Sequence, residues 1–444
     1  MNLKRFQDIV AVKTGPTDSK GDSVITAFHG RNLEIAEMSE AAFSEMINIE
    51  LRSAMVPNPL NFMNDEEAFR SLKDWNQEEN PDVKSGRVNF GIKSLTLNVT
   101  QICNLKCNYC AAGGDGTYGE AINKVSIEKT LPQLKFFLEN LKNGSPFNLS
   151  FVGGEPFLYP EAMKAIYDYV RAEAAPRQID CRFMVTTNGT LITDKALELL
   201  KTMKIHITVS LDGQASINDR VRPSKDGKSS TAATLLGLEK LVQIRSSLAS
   251  IGIAAVTSAE NLKLKESYLF FRTLNVDWYE FNFSYSEKSQ AAQDEYLKQM
   301  NEIAAIAWAS GGEEELRKIK TFSAYFDVFD NQQRIENFCG AGKSYLMIDA
   351  KNRLYTCPWV VGEKDEVVGE GSLLDYDKLD KYQKPLIELN NCQNCWARFV
   401  CGGGCMFIHR EHTGDKHKKD ELFCERTRSL IIIAILYYKR ARAS

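Results

Sequence analysis

From residue 95 to residue 283 the chain alternates between two spacings of apolar residues. Short runs at 95–100, 148–153, 181–187, 206–211, 251–257 and 278–283 have the length of strands and are apolar enough to be buried. Longer stretches at 127–141, 160–173, 194–203, 231–244 and 262–274 carry an apolar stripe at helical spacing and predict helices. Six strands with five intervening helices read as successive βα units. The expected fold is therefore α/β, with a parallel sheet of the partial (β/α)6 TIM-barrel type. In that architecture chemistry collects at the C-terminal ends of the strands.

The first eighty residues follow another pattern. Runs at 6–13, 23–29 and 31–38 are separated by the turn sequences Thr14-Gly-Pro-Thr-Asp and His29-Gly-Arg-Asn, and they predict a small three-stranded meander. Ser39 can cap a helix striped by Ala42, Phe43, Met46 and Ile47, and residues 65–75 predict a second helix through Ala68, Phe69 and Leu72. The polar stretch 76–82 reads as a linker. The chain thus divides into an α+β unit over 1–80, the α/β unit over 92–320 and a third region over 321–444. The longest apolar run, 430–438, is far short of the roughly 18 residues of a membrane span and predicts a buried helix.

A chain of 444 residues with 43% hydrophobic content can bury sizeable cores in two or three domains. Its formal net charge of −3 provides no basic field, so neither nucleic acid nor a membrane surface is expected as a partner. The N-terminus breaks into charge at once, without the apolar segment of a secretory signal. Eleven cysteines in such a chain point to metal or catalysis rather than to disulfides, and to a cytoplasmic setting.

Three of those cysteines, Cys103, Cys107 and Cys110, follow the first predicted strand. Thiolates at this spacing can close on one face of an inorganic cluster and leave one metal corner for a small molecule, because an iron–sulfur cluster normally takes four cysteines. Structural zinc is the competing reading, although it pairs two knuckles and no second knuckle lies nearby in sequence.

The CxxxCxxC spacing, with Tyr109 before the last cysteine, resembles the signature of the radical SAM enzymes. Segments at the strand ends resemble the same family: Gly153-Gly154-Glu155-Pro156, Thr186-Thr187-Asn188-Gly189, Ser210-Leu211-Asp212-Gly213, and then Arg220 and Arg222. The resemblance implies a [4Fe-4S] cluster on the three cysteines, whose unique iron binds S-adenosyl-L-methionine and whose electron yields a 5'-deoxyadenosyl radical. It also implies cofactor contacts. Gly153 and Gly154 would let a ligand approach the backbone, and Glu155 would accept from an ammonium. Asn188, Ser210 and Asp212 would line the ribose and carboxylate, and Arg222, or else Arg220, would clamp the carboxylate. Val256, with Gly252 and Ile253, would flank the adenine; these three are equally the buried face of a strand. Cys181 reads as a small core residue, and His409, His412 and His417 as solvated among charged neighbours. No catalytic side chain is singled out.

The other seven cysteines are Cys339, Cys357, Cys392, Cys395, Cys401, Cys405 and Cys424. The run Cys392-x2-Cys395-x5-Cys401-x3-Cys405 resembles the SPASM extension of the same superfamily. That pattern implies one fully ligated cluster on Cys392, Cys395, Cys401 and Cys424, and another on Cys339, Cys357 and Cys405 with an open or non-cysteine fourth site. The total is then three [4Fe-4S] clusters; two zinc knuckles would want two complete sets of four. Tyr345 stands where some relatives carry a further cysteine. Asn352 replaces a glycine of the pattern, and Asn is the next best residue for a left-handed turn.

The N-terminal unit resembles the winged-helix-like domain that takes a leader peptide as an added strand; a plain α+β cap is the alternative. Together the resemblances imply a radical SAM/SPASM oxidoreductase that installs a thioether, C–C or C–O cross-link in a ribosomally made precursor peptide, reduced by a donor such as flavodoxin or ferredoxin. The segment 111–119 is similar to a Gly- and Tyr-containing stretch of thioether-forming maturases. The runner-up is a formylglycine-forming enzyme of the anaerobic sulfatase-maturase kind, in which the cysteine loop comes almost first. A non-catalytic iron–sulfur carrier or sensor is a reading of another class, and it would need no amino-acid-shaped pocket beside its cluster.

Overall fold

The computed structural model describes residues 2–16, 23–53, 65–84, 91–110, 119–120 and 124–443. The segment 111–118, likened above to thioether-forming maturases, lies outside them.

Four antiparallel strands, β1 (Asn2–Phe6), β2 (Ile9–Pro16), β3 (Ser23–His29) and β4 (Glu34–Glu37), form the first sheet in that order. The run expected to be one strand over 6–13 is split, because the polar pair Gln7-Asp8 turns the chain, with Gln7 at φ 51°. The meander therefore has four strands rather than three. Helices Glu40–Ser53 and Glu66–Gln77 cover one face, and each starts at a cap: Ser39 Oγ accepts from Ala42 N at 3.2 Å, and Asp65 Oδ1 accepts from Ala68 N at 2.9 Å. Ile9, Ala11, Ile25 and Ala27 pack under these helices with Phe43, Met46 and Leu72. Val10, Val12 and Phe28 point the other way, into the main core. With both faces buried, the strand reads as a continuous apolar run.

The main sheet has ten strands. Six are parallel and adjacent in chain order: β5 (Ser94–Thr100), β6 (Pro146–Gly153), β7 (Asp180–Thr187), β8 (Ile205–Ser210), β9 (Ser250–Thr257) and β10 (Trp278–Phe283). Helices Ile127–Glu139, Pro160–Ala174, Asp194–Leu200, Ser230–Gln243 and Leu264–Phe271 alternate with them. This is the α/β arrangement expected, consistent with a partial TIM barrel. A short helix, Ala215–Val221, also follows β8; its 7 residues are too few to show a stripe in the sequence.

The last quarter of the chain extends the same sheet. β11 (Tyr345–Ile348) pairs in parallel with β5, followed outward by β12 (Arg353–Tyr355), β13 (Val367–Glu370) and β14 (Leu373–Leu374), all antiparallel. Asn352 makes the turn between β11 and β12 at φ 66°, and its Nδ2 donates to Thr130 Oγ1 at 2.8 Å and Gln133 Oε1 at 2.9 Å. The position demands a left-handed residue, and Asn also anchors it to a barrel helix. Helix Glu421–Ala443 buries Leu430 through Ile435. Among the described residues no helix is long and apolar enough to cross a membrane.

Candidate cluster and cofactor site

The loop after β5 carries Cys103, Cys107 and Cys110, and three N–H groups approach two of the three sulfurs. Leu105 N lies 3.4 Å and Asn188 Nδ2 3.6 Å from Cys103 Sγ, and Arg222 Nη1 lies 3.8 Å from Cys107 Sγ. Donors aimed at sulfur stabilise thiolate over thiol, which suits metal-bound cysteines. Without a metal, burial and the nearby Glu155 push the Cys103 thiol up to about 12. The residues present therefore fit a cluster held by thiolates.

Neighbouring strand ends are tied into this loop. Gly153 ends β6 and Gly154 follows it; a Cβ on the first would meet Thr100 O at 2.4 Å and on the second the Ile102 carbonyl carbon at 2.1 Å. The first thing that bare backbone accommodates is the chain's own cysteine loop. Glu155 is fully buried: Oε1 accepts from Thr187 Oγ1 at 2.7 Å and Phe157 N at 3.0 Å, and Oε2 accepts from Asn188 N at 2.7 Å. Burial pushes its carboxyl up to about 7 against these three hydrogen bonds. Asn188 also donates from Nδ2 to Asn104 Oδ1 at 2.8 Å, so the end of β7 and the cysteine loop are held as one piece.

On the other side Asp212 acts as a hub. Its Oδ2 accepts from Tyr109 Oη at 2.6 Å and Arg222 Nε at 3.0 Å, and its Oδ1 accepts from Val256 N at 2.8 Å. The pair with Arg222 is buried, with side chains 0% and 8% exposed. Burial works against the arginine's charge, but Asp212 and Tyr109 outweigh it and keep it protonated. Arg220 is exposed and donates to Glu260 O, so of the two arginines only Arg222 stands at the cysteines. Ser210 and Val256 end neighbouring strands and are partly exposed. The sequence did not show that Tyr109 and Asn104 serve as hydrogen-bonding partners here; the only signal was their place inside the loop.

The seven C-terminal cysteines divide between two pockets. Cys392, Cys395, Cys401 and Cys424 line one of about 50 Å³. Cys339, Cys357 and Cys405 line another of about 420 Å³, together with Tyr345, Phe338, Trp359, Phe407 and Lys416. Trp359 stacks on Phe407 with ring centres 5.9 Å apart, and Tyr285, just beyond β10, touches both. In each pocket the buried thiols are pushed up, first by burial and then by one another.

The expectation that the C-terminal histidines are solvated is corrected. His409 is fully buried and its Nδ1 accepts from Asp420 N at 3.2 Å; His412 Nε2 lies 2.8 Å from Tyr285 O. Their charged sequence neighbours hid the fact that helix Met406–Thr413 turns Phe407 and His409 inward. His417 is partly exposed, with Nδ1 3.1 Å from Asn390 Oδ1.

Residues 97–255 match the model of the Radical SAM superfamily. The chain is 36% identical over 179 residues to an uncharacterized protein of Methanocaldococcus jannaschii, a stretch covering 40% of this chain and 58% of that protein. It is 24% identical over 331 residues to the mycofactocin maturase MftC of Mycobacterium tuberculosis, covering 70% of this chain and 78% of the maturase. Among solved structures, anSMEcpe with bound AdoMet matches with a TM-score of 0.64 at 18% identity, over 79% of this chain and 99% of that one. Streptococcus suis SuiB bound to precursor peptide SuiA matches with a TM-score of 0.50 at 16% identity, over 95% of this chain and 100% of that one. At such identities the structures speak to the fold alone.

Proposed function

We propose that this chain, whose residues 97–255 match the Radical SAM superfamily model, is a radical SAM enzyme that cross-links a ribosomally made precursor peptide. The observation that carries the reading is the meeting, at the strand ends, of the three-cysteine loop with Glu155, Asn188, Asp212 and Arg222, beside two further cysteine pockets. The name of the mycobacterial maturase and the peptide bound by SuiB support a peptide as substrate.

In this proposal Cys103, Cys107 and Cys110 hold one [4Fe-4S] cluster, and the two C-terminal pockets, a SPASM extension, hold the second and third. The first cluster with S-adenosyl-L-methionine supplies a 5'-deoxyadenosyl radical. The chain's own residues position what binds there. A carboxylate has about four acceptor sites, and Glu155 has three filled, which leaves one for an ammonium group. Arg222 spends Nε on Asp212 and keeps N–H groups for a carboxylate beside Cys107. Asp212 and Tyr109 hold that guanidinium in place, and Val256 and Ser210 border the same strand ends. The unit over 1–80 then serves as the winged-helix-like site for a leader peptide, and an external protein donor supplies electrons.

Formylglycine formation is the second reading, favoured by the likeness in sequence to a serine-type anaerobic sulfatase-maturating enzyme of Klebsiella pneumoniae. Anaerobic reconstitution with iron, sulfide, dithionite and S-adenosyl-L-methionine tests the enzyme. 5'-Deoxyadenosine formation no higher than the protein-free blank overturns both readings. Mass spectrometry of the treated peptide separates them: a cross-link removes two hydrogens, keeps every sulfur and leaves no aldehyde, whereas formylglycine made from cysteine loses the sulfur and formylglycine made from serine or cysteine leaves an aldehyde that a hydrazide captures.

A further inference from the structure

The four-cysteine pocket draws part of its support from the far end of the chain. Four residues of the N-terminal sheet grip the segment Asn394–Arg398, which runs between the ligand positions Cys392 and Cys401. Arg5 Nη2 donates to Asn394 O, and Phe28 packs edge-on against Trp396 with ring centres 6.1 Å apart. A Cβ on Gly30 would lie 1.9 Å from Trp396 O, so only a glycine lets the sheet close this far. Asp8, in the β1–β2 turn, receives both arms of Arg398, with Nη2 to Oδ2 at 3.1 Å and the second arm closer still. The same Arg398 donates from Nη1 to Cys395 O at 2.9 Å. A planar guanidinium engaged at once by a carboxylate and a backbone oxygen has little freedom left.

We infer that the N-terminal sheet is part of the four-cysteine site, and that Asp8, acting through Arg398, is a positioning residue for Cys395. Asp8 touches no cysteine; its effect is to fix the guanidinium that fixes the carbonyl of Cys395. The side chains of Arg398 and Asp8 are 10% and 19% exposed, so water competes weakly for this pair. Among the described residues none of the N-terminal sheet lines either pocket; the tie to the four-cysteine pocket runs through Arg398, which lines it and is held by Asp8. The inference concerns one loop and holds whether or not the substrate is a peptide.

Thiol alkylation of the cluster-free full-length chain, read site by site with iodoacetamide and mass spectrometry, is the test. Asp8→Ala should speed alkylation of Cys395 about fivefold, the effect of losing roughly one ion pair's worth of protection, while Cys357 and Cys405 change less than twofold. Asp8→Glu, which keeps the carboxylate, should restore the slow rate. In reconstituted protein Asp8→Ala should also shift the electron paramagnetic resonance signal of one cluster only. Unchanged Cys395 reactivity in both Asp8→Ala and Arg5→Ala overturns the inference. So does equal acceleration at all seven C-terminal cysteines, which would report general loosening; Asp8→Asn, a milder change, then repeats the test in a folded chain.

Discussion

The two C-terminal cysteine pockets share one stretch of chain, since Cys401 and Cys405 stand four residues apart and turn into different sites. The pockets are nonetheless built on opposite plans. The four-cysteine pocket is small, about 50 Å³, and is clasped by the N-terminal sheet. The three-cysteine pocket is about 420 Å³, and its rim includes Trp359 and Phe338, respectively 42% and 46% exposed. If these cysteines hold clusters as proposed, a closed set of four in a tight pocket suits electron relay, whereas three in a roomy aromatic pocket suit a site that meets something from outside. Ligand count and access change together here, which is why the two sites invite different tests.

The contrast presumes that neither pocket is the radical site. Replacing Cys103, Cys107 and Cys110 together with Ala should abolish 5'-deoxyadenosine formation and, on the proposed count of three clusters, remove about a third of the iron, four of some twelve atoms, leaving both C-terminal pockets loaded. Iron assay and chromatography of the products check both numbers; surviving cofactor cleavage would put the radical site elsewhere. A sharper probe is Tyr345→Cys, since Tyr345 lines the larger pocket beside Cys339 and Cys357. If the substrate binds the open corner there, a fourth thiolate should stop cross-linking while all clusters remain. If that pocket only relays electrons, the turnover rate should fall little, with a shift in potential.

The clasp on the smaller pocket gives weaker effects. Gly30→Ala places a Cβ against Trp396 O and should cost about 1–3 kcal/mol in denaturant unfolding. A stable variant would mean that the sheet can move off the loop freely. The smallest effect concerns acid. Burial raises the Asp8 carboxyl, but the hydrogen bond and charge of Arg398 outweigh it and hold it below its ordinary 3.8. A depressed folded pKa gives stability that is full above 3.8 and is lost as the pH falls further. Asp8→Asn should therefore lower stability by about 1 kcal/mol at neutral pH and flatten the decline below pH 4. Parallel slopes for both proteins in acid would remove Asp8 from the balance.

The six parallel strands were legible because each is a short apolar run with at least one buried face, bounded by turn residues, a local signal. The left-handed Asn352 was legible for a similar reason, since only a few residue types tolerate that conformation. What the sequence hid was long-range. β11 reads as four unremarkable residues until it pairs with β5, which lies about 250 positions earlier. The turn at Gln7-Asp8 looked like strand because its flanks are apolar. Glu155, Asp212 and Arg222 could be named as site residues, but how far they engage one another's strands and the cysteine loop depends on partners up to 115 positions apart. His409 was misread because charge along a sequence says little about which side of a helix faces inward.

The pairing of β11 with β5 also works as a ruler. The loop of Cys103, Cys107 and Cys110 leaves the end of β5, and the hairpin that leads to Cys357 starts on β11, its neighbour in the same ladder, with Tyr345 opposite Ser94 and Ile348 opposite Leu97. A hydrogen-bonded ladder neither stretches nor slips by less than a whole residue. In the proposed reading, the distance between the radical cluster and the larger cysteine pocket is therefore set by one ladder, and a substrate that reaches both has to bend to the span that ladder imposes.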